Sequence, residues 1–216
     1  HEAGYPHDEN PERIKVIYNN VKDLDVVEVP ARDATVEEIS RAHKLHYMTQ
    51  FSELSKKSSD MYWNEWSLGA IIMAAGSCCQ LVQESNKGSI NHGFAIIRPP
   101  GHHASRGRCS GFCFLNNVMI AALDALEQVH RVLIIDWDVH YHQGTEDIVE
   151  NTEYDADRLT VFSMHRYDRG NFFPGGKSGR TGTKHNGKIV NVGFNGVCGD
   201  KEYTRTLQTF LDNYVH

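Results

Sequence analysis

Three continuous apolar runs in the second half of the chain constrain its fold more than any other feature. They are RVLIIDWD (131–138), RLTVFSMH (158–165) and KIVNVGF (188–194). Runs of this kind are typical of strands that are buried on both faces in a parallel sheet. Parallel strands need long crossover connections, which are usually helices. We therefore predict an α/β fold with three layers, α/β/α, around a mainly parallel sheet.

Other segments fit the same alternation of strands and helices. Two short apolar runs are predicted as strands, DVVEV (25–29) and GFAIIRPPG (93–101). Four segments carry helical spacing or a capping signal: 35–46, 66–85, 116–129 and 200–215. The second of these is apolar all round, which favours a largely buried helix. Residues 174–188 are rich in glycine and basic residues and are predicted to form an exposed mobile loop.

Composition limits the partners that the chain can have. With 216 residues it is expected to form a single domain, 1–216. The net charge of -6 gives no attraction to nucleic acid or to an acidic membrane, so we expect neither as a direct partner. No apolar run approaches the roughly 18 residues of a membrane span. Five cysteines without disulfide-framework spacing favour a reducing compartment, and we expect nuclear or cytoplasmic residence, or both.

Polar clusters follow the predicted strands, where parallel α/β sheets collect their ligands. In DWDVHYH the side chains of Asp136, Asp138, His140 and His142 alternate. Alternate side chains of an extended segment share a face, so Asp138 and His140 could bind one zinc ion together. The alternative is that Asp138 caps the next helix and that His140 is an ordinary loop histidine.

A second cluster holds the adjacent residues His102 and His103, which follow two prolines and a glycine. A rigid loop of this kind could fix two imidazoles against a substrate. One of them could then act as general base on a metal-bound water. Taken alone, a tandem histidine is more often part of a surface loop.

Long motifs in fixed order resemble those of the zinc-dependent histone deacetylase family. They are RPPGHHASRGRCSGFCFLNNVMIAA, RVLIIDWDVH and SMHRYDRGNFFPG, and the last two are most similar to the class II branch. The resemblance runs from HDENPERI to the final predicted helix. It implies the arginase/deacetylase fold, an eight-stranded parallel sheet between helices. The chain would hold the N-terminal two-thirds of that domain, with the C-terminal strands missing.

The resemblance also implies roles for individual residues in the hydrolysis of N-acetyl-lysine amides. Asp138 and His140 match the family's zinc ligands. His103 matches the general base and His102 its electrostatic partner at the zinc-bound water. Asp136 matches a buried carboxylate that orients the first histidine.

Two further groups of residues match known parts of the family's site. Asp136 would also help to bind a structural potassium ion, with Ser163 and Met164. The walls of a narrow tunnel for the acetyl-lysine side chain are matched by Gly111, Phe112 and Phe173. Without the resemblance, ordinary core packing would be the preferred explanation of the phenylalanines. The implied partners are an acetylated lysine of a histone or another protein, and corepressor proteins, which would make the chain a repressor acting on chromatin and transcription.

The segment after His140 departs from the family pattern. Gln143 stands where the family has an Asn or Asp that supports the second catalytic histidine, so we predict a weakened orientation of His103. His142 replaces a glycine, which could strain a turn that needs positive φ. Its role stays unassigned, and a substitute third zinc ligand is a remote option.

The family's third zinc ligand, an Asp, and its oxyanion-stabilising Tyr have no counterpart before residue 216. We therefore expect little or no activity from this chain alone. One alternative is a non-catalytic deacetylase-like interaction protein. Another is a two-manganese hydrolase of the arginase type, but His142 stands where that site needs a second carboxylate.

Overall fold

The computed structural model describes residues 7–55, 60–152 and 156–214. Its strands are β1 (Val132–Asp136), β2 (Leu159–Arg166), β3 (Gly182–Lys184) and β4 (Ile189–Phe194). Its helices are α1 (Glu12–Val21), α2 (Val36–Ala42), α3 (Leu45–Met48), α4 (Phe51–Ser55), α5 (Ser67–Asn86), α6 (Asn117–Ala125), α7 (Gln143–Asn151) and α8 (Asp200–Tyr214). Within these ranges, no helix combines the length and the apolarity that crossing a membrane requires.

The strands form one sheet in the order β1-β2-β4-β3. The β1–β2 and β2–β4 pairings are parallel, and only the short edge strand β3 runs antiparallel to β4. The predicted mainly parallel sheet is therefore confirmed. The register places Asp136 beside Ser163 and Ser163 beside Asn191, so these three residues form one row across the central strands.

Apolar side chains of β2 point to both faces of the sheet. Leu159 and Val161 belong to the large core cluster formed with α2, α5 and α6. Phe162 and Met164 point the other way and pack with Phe210 of α8. The rings of Phe162 and Phe210 stack at 3.9 Å with an interplanar angle of 7°. Helices thus cover both faces, which confirms the three-layer architecture.

Local capping fixes where the helices that flank the site begin. At α2 the predicted capping box is present: Glu38 N–H donates to the Thr35 hydroxyl at 3.1 Å, and Thr35 N–H donates to the Glu38 carboxylate at 2.7 Å. At α6 the Asn116 side chain accepts a hydrogen bond from Met119 N–H at 3.1 Å. Both caps satisfy backbone donors that have no partner inside the helix.

Four predictions about individual segments were wrong, wholly or in part. Residues 25–29 are not a strand, and Val27 is 84% exposed there. Residues 93–101 are not a strand either, because neither segment has a partner strand in the described part of the chain. Helix α5 buries one face only. The segment 174–188 is mostly exposed, as predicted, but it is not a loop throughout, because it contains strand β3 and a 3-10 turn at His185–Gly187.

Candidate functional site

Three segments meet beyond the carboxyl end of β1. They are the residues that follow Asp136, the loop that carries His102 and His103, and the first turn of α7. Helix α7 is joined to the histidine loop by a backbone hydrogen bond from Thr145 N–H to the His102 carbonyl, at 3.1 Å. The polar cluster after β1 and the tandem-histidine loop, two of the clusters expected at the carboxyl ends of the strands, are therefore close together.

His102 is paired with a carboxylate at the end of β1. Its Nδ1 lies 2.8 Å from Asp136 Oδ2, and both side chains are largely buried. Burial alone would lower the pKa of His102, but the hydrogen bond and the charge of Asp136, with the charge of Asp138, raise that pKa above its ordinary value. His102 is thus the histidine of the pair that favours the protonated form.

His103 has the opposite environment. Its Nδ1 lies 2.6 Å from Gln143 Oε1, and because an amide oxygen can only accept, Nδ1 carries the proton. Burial and the neighbouring charge of His102 lower the pKa of His103 to about 3. His103 is therefore neutral, with an unprotonated Nε2. The predicted weakening of its support is not observed, since the longer Gln143 side chain reaches the ring.

Asp138 and His140 face each other at the open side of the site. Asp138 Oδ1 lies 2.9 Å from His140 Nδ1 and accepts the His140 backbone N–H at 2.7 Å. The same oxygen lies 3.9 Å from His102 Nε2. Burial would raise the pKa of Asp138, but its hydrogen bonds to His140 and the charge of His102 hold that pKa well below its ordinary value. One carboxylate oxygen and one imidazole nitrogen are thus close enough to share a cation, and both are donors that zinc accepts.

Aromatic rings and one glycine enclose the histidines. Phe173 packs edge-on to His103 at 5.1 Å and to His140 at 5.8 Å. Phe172, which the sequence reasoning missed, stacks on His140 at 5.3 Å. The FFP sequence was the available signal, because two adjacent aromatic residues of a loop can line both sides of a site.

Gly111 lies directly against the general-base candidate. A Cβ atom at this position would lie 2.3 Å from Cδ2 of His103, and the backbone has φ +53°. The close approach leaves no room for a Cβ atom, and the positive φ favours glycine. The neighbouring Phe112 also has positive φ, and its ring packs edge-on to His7 at 5.2 Å. Gly111 and Phe173 are therefore brought to His103, and Phe112 packs beside His7.

Ser163 and Met164 lie on β2 behind the site. His165 Nε2 lies 2.7 Å from the Gly179 carbonyl, so Nε2 carries the proton and the Ser163 hydroxyl donates to His165 Nδ1 at 2.8 Å. The lone pairs of Ser163 Oγ stay available on the row that it shares with Asp136. The Met164 side chain belongs to the opposite core cluster.

His142 does not join the candidate zinc ligands. Its φ is -85°, so the expected positive-φ strain is absent. The ring is fully buried, and Nε2 lies 2.8 Å from Asn191 Oδ1. Asn191 is a second residue that the sequence reasoning missed. A buried amide in the middle of the apolar run KIVNVGF was the signal that could have identified it.

A separate group of three metal-type side chains lies on the helical layer. Glu38, Cys79 and Asp124 approach one another within 4.8 Å and form the only such group in the described ranges. Both carboxylates are already paired, Glu38 with Arg32 and Asp124 with Arg41. The charge that would attract a cation is thus neutralised, and we assign no metal to this group.

Comparisons with known proteins identify the family of the chain. Residues 7–216 match the histone deacetylase domain family. Histone deacetylase 15 of Arabidopsis thaliana is 36% identical over 94% of the chain, and polyamine deacetylase HDAC10 of Danio rerio is 36% identical over 77% of it. The crystal structure of the HDA15 HD domain covers 96% of the chain with a TM-score of 0.84 and 34% identity.

The chain spans only part of these proteins. It covers 39% of the Arabidopsis protein, 26% of the Danio protein and 63% of the solved HD domain chain. The family match extends over residues 7–216. On this evidence the chain belongs to the histone deacetylase family.

Proposed function

We propose that this chain carries the histidine pair and two zinc ligands of a deacetylase that hydrolyses N-acetyl-lysine amides of histones or other proteins. The observation that carries the proposal is the contrast between two adjacent histidines. Asp136 favours the protonated form of His102, whereas burial and the charge of His102 keep His103 neutral. Gln143 holds the proton of His103 on Nδ1, which leaves Nε2 free. Pairs of titratable groups with opposite environments are the usual sign of divided acid and base roles.

Asp138 and His140 would hold the zinc ion. When bound, zinc supplies a Lewis acid that polarises the acetyl carbonyl and lowers the pKa of a bound water. His103 would accept the proton of the attacking water at Nε2 and return it to the leaving lysine amine. His102 would keep a positive charge near the oxygen that becomes negative.

The apolar wall formed by Phe173, next to Gly111, suits the neutral methylene chain of acetyl-lysine. In the same proposal Asp136, Ser163 and Met164 supply the potassium site, for which the available lone pairs of Ser163 Oγ are the supporting observation. The family resemblance also suggests that Phe112 is a tunnel wall. It further suggests corepressor partners, a repressor role and residence in the nucleus or cytoplasm.

Two measurements test the proposal, starting with the purified chain. Isothermal titration should show zinc binding that is lost in His140→Ala, and a folded chain that binds no zinc would contradict the proposed ligands. An acetyl-lysine peptide assay should show little hydrolysis by this chain alone. In a longer product that supplies a third zinc ligand and an oxyanion-stabilising Tyr, it should show hydrolysis that is lost in His103→Ala. Equal hydrolysis by both proteins excludes the proposed base. Zinc and peptide binding by the longer product without hydrolysis would favour the non-catalytic interaction protein.

An N-acetylated polyamine serves as the comparison substrate in the same assay. The Danio relative is named a polyamine deacetylase. Both classes of substrate present an acetylated amine on a methylene chain, so the tunnel alone does not discriminate between them. Faster hydrolysis of the polyamine would change the proposed substrate and keep the proposed chemistry.

A further inference from the structure

His142 takes no part in the proposed chemistry, although it is a fully buried polar residue two positions from a proposed zinc ligand. We propose that His142 is a positioning residue. Through Asn191 it holds the first turn of α7 in place, so that Gln143 keeps the proton of His103 on Nδ1. The inference rests on the proposed function only for the role of His103 as base.

The hydrogen bond between His142 and Asn191 has a defined direction. Asn191 Nδ2 donates to Glu146 Oε2 at 3.1 Å, which turns Asn191 Oδ1 toward His142. Since Oδ1 only accepts, His142 Nε2 must carry the proton and donate across 2.8 Å. His142 Nδ1 then holds a lone pair, and no described residue donates to it. Within the described part of the chain, the ring thus makes one hydrogen bond, and that bond goes to β4.

Glu146 attaches the same helical turn to the sheet a second time. It lies four residues after His142, so both side chains emerge on the same face of the turn. Its carboxylate accepts from Asn191 and forms an ion pair with Lys184 of the edge strand β3. Asn191 therefore joins both ends of one helical turn to the sheet.

The opposite side of this turn contacts the catalytic histidine loop. Thr145 N–H donates to the His102 carbonyl at 3.1 Å. A Cβ atom on Gly144 would lie 2.4 Å from the His103 carbonyl carbon, so the two backbones touch. The first turn of α7 is therefore held between β4 and the histidine loop, and Gln143 projects from it to His103 Nδ1.

The energetic consequence follows from this arrangement. In this chain, removing the donor leaves the amide oxygen of Asn191 buried without a partner, and the turn must shift to relieve it. A shift of the turn moves the Gln143 side chain directly, because Gln143 is the first residue of α7. The Nδ1–H form of His103 then loses its acceptor.

Nitrogen-15 NMR of histidine-labelled protein, without zinc or substrate, tests the proposal. In the native chain His103 should be found as the Nδ1–H tautomer. His142→Leu keeps the volume and removes the donor, and the ratio of Nδ1–H to Nε2–H should fall about fivefold, the effect of one hydrogen bond. His142→Gln can still donate at the distance of Nε2 and should restore the native ratio. Gln143→Leu gives the ratio expected when the acceptor of the His103 Nδ1 proton is completely lost.

Lys184→Met provides a second variant at the partly exposed edge strand. It removes the ion pair between Lys184 and Glu146. The ratio of Nδ1–H to Nε2–H in His103 should then fall about twofold, which is less than the effect of losing a buried hydrogen bond. Unchanged ratios in the folded variants overturn the proposal, and Lys184→Met decides alone if His142→Leu does not fold. Because neither zinc nor hydrolysis enters the measurement, failure of the proposed function would leave this result unaffected.

Discussion

His103 Nδ1 and Gln143 Oε1 lie 2.6 Å apart across the junction between the histidine loop and α7. The amide accepts the Nδ1 proton without adding a negative charge beside the ring. A carboxylate in the same place would raise the histidine pKa. Here burial dominates and lowers the pKa to about 3, so the base is ready to accept a proton at neutral pH.

Replacing Gln143 tests this support during turnover. Gln143→Leu removes the acceptor. In a longer product that hydrolyses an acetyl-lysine peptide, we expect kcat to fall about tenfold, equivalent to about 1.4 kcal/mol, with KM little changed. Gln143→Asn keeps an amide oxygen and should lose less. A raised KM with unchanged kcat would show that Gln143 acts on substrate binding instead.

Zinc binding should depend on Asp138 and not on His142. Asp138→Ala removes the oxygen that lies 2.9 Å from His140 Nδ1, and titration calorimetry should show loss of the zinc-binding heat. His142→Ala is the matched control, because His142 is directed at Asn191. Zinc affinity reduced equally in both variants would contradict the division of roles between these neighbours.

Replacing Gly111 by alanine should destabilise the fold more than the same change at Gly176, another glycine with positive φ. In Gly176→Ala the new methyl group has no atom within 4 Å, so only the backbone cost of about 1–2 kcal/mol is expected. In Gly111→Ala the methyl group also collides with the His103 ring. Chemical denaturation should give a larger loss of unfolding free energy for Gly111→Ala. Equal losses would mean that the ring moves away at little cost.

Stability in mild acid should depend on His43. This buried ring accepts Asn116 N–H at Nε2 across 2.9 Å, and burial lowers its pKa from 6.5 to about 4. Between pH 6.5 and pH 4, His43 is therefore protonated in the unfolded chain but not in the folded chain. Stability is complete above pH 6.5 and falls as the pH drops toward 4, by about 3 kcal/mol for this residue.

The variant His43→Gln keeps an acceptor and cannot titrate. Its unfolding free energy, measured by urea denaturation at several pH values, should fall less between pH 6.5 and pH 4 than that of the native chain. Other buried histidines, such as His165, contribute with the same sign, so part of the dependence remains. His92→Gln, at an exposed position, is the control and should leave the slope unchanged.

Much of the fold could be predicted because the central strands are apolar on both faces. The runs 131–138, 158–165 and 188–194 were all found to contain strands, and the Thr35 capping box was found as predicted. The runs at 25–29 and 93–101 have the same local composition but no partner strand in the described chain. Strand pairing is a tertiary property that composition alone does not determine.

The site shows a similar division. The spacing of Asp138 and His140, with the family resemblance, predicted a pair that the structure brings together. The contacts of Gln143 and His142 could not be predicted, because each depends on the direction in which α7 leaves the site. The amide partner of His142 lies 49 residues further along the chain. No local pattern connects residues at that separation.

The row formed by Asp136, Ser163 and Asn191 makes the two halves of the site depend on how the strands are aligned. Asp136 pairs with His102. Asn191 binds His142 and so holds the first turn of α7, from which Gln143 reaches His103. Side chains alternate along a strand, so a slip of one residue in the middle strand would turn Ser163 to the opposite face and separate the outer two members of the row. Inserting or deleting a single residue inside β2 would then disable both histidines at once, although neither of them belongs to the sheet.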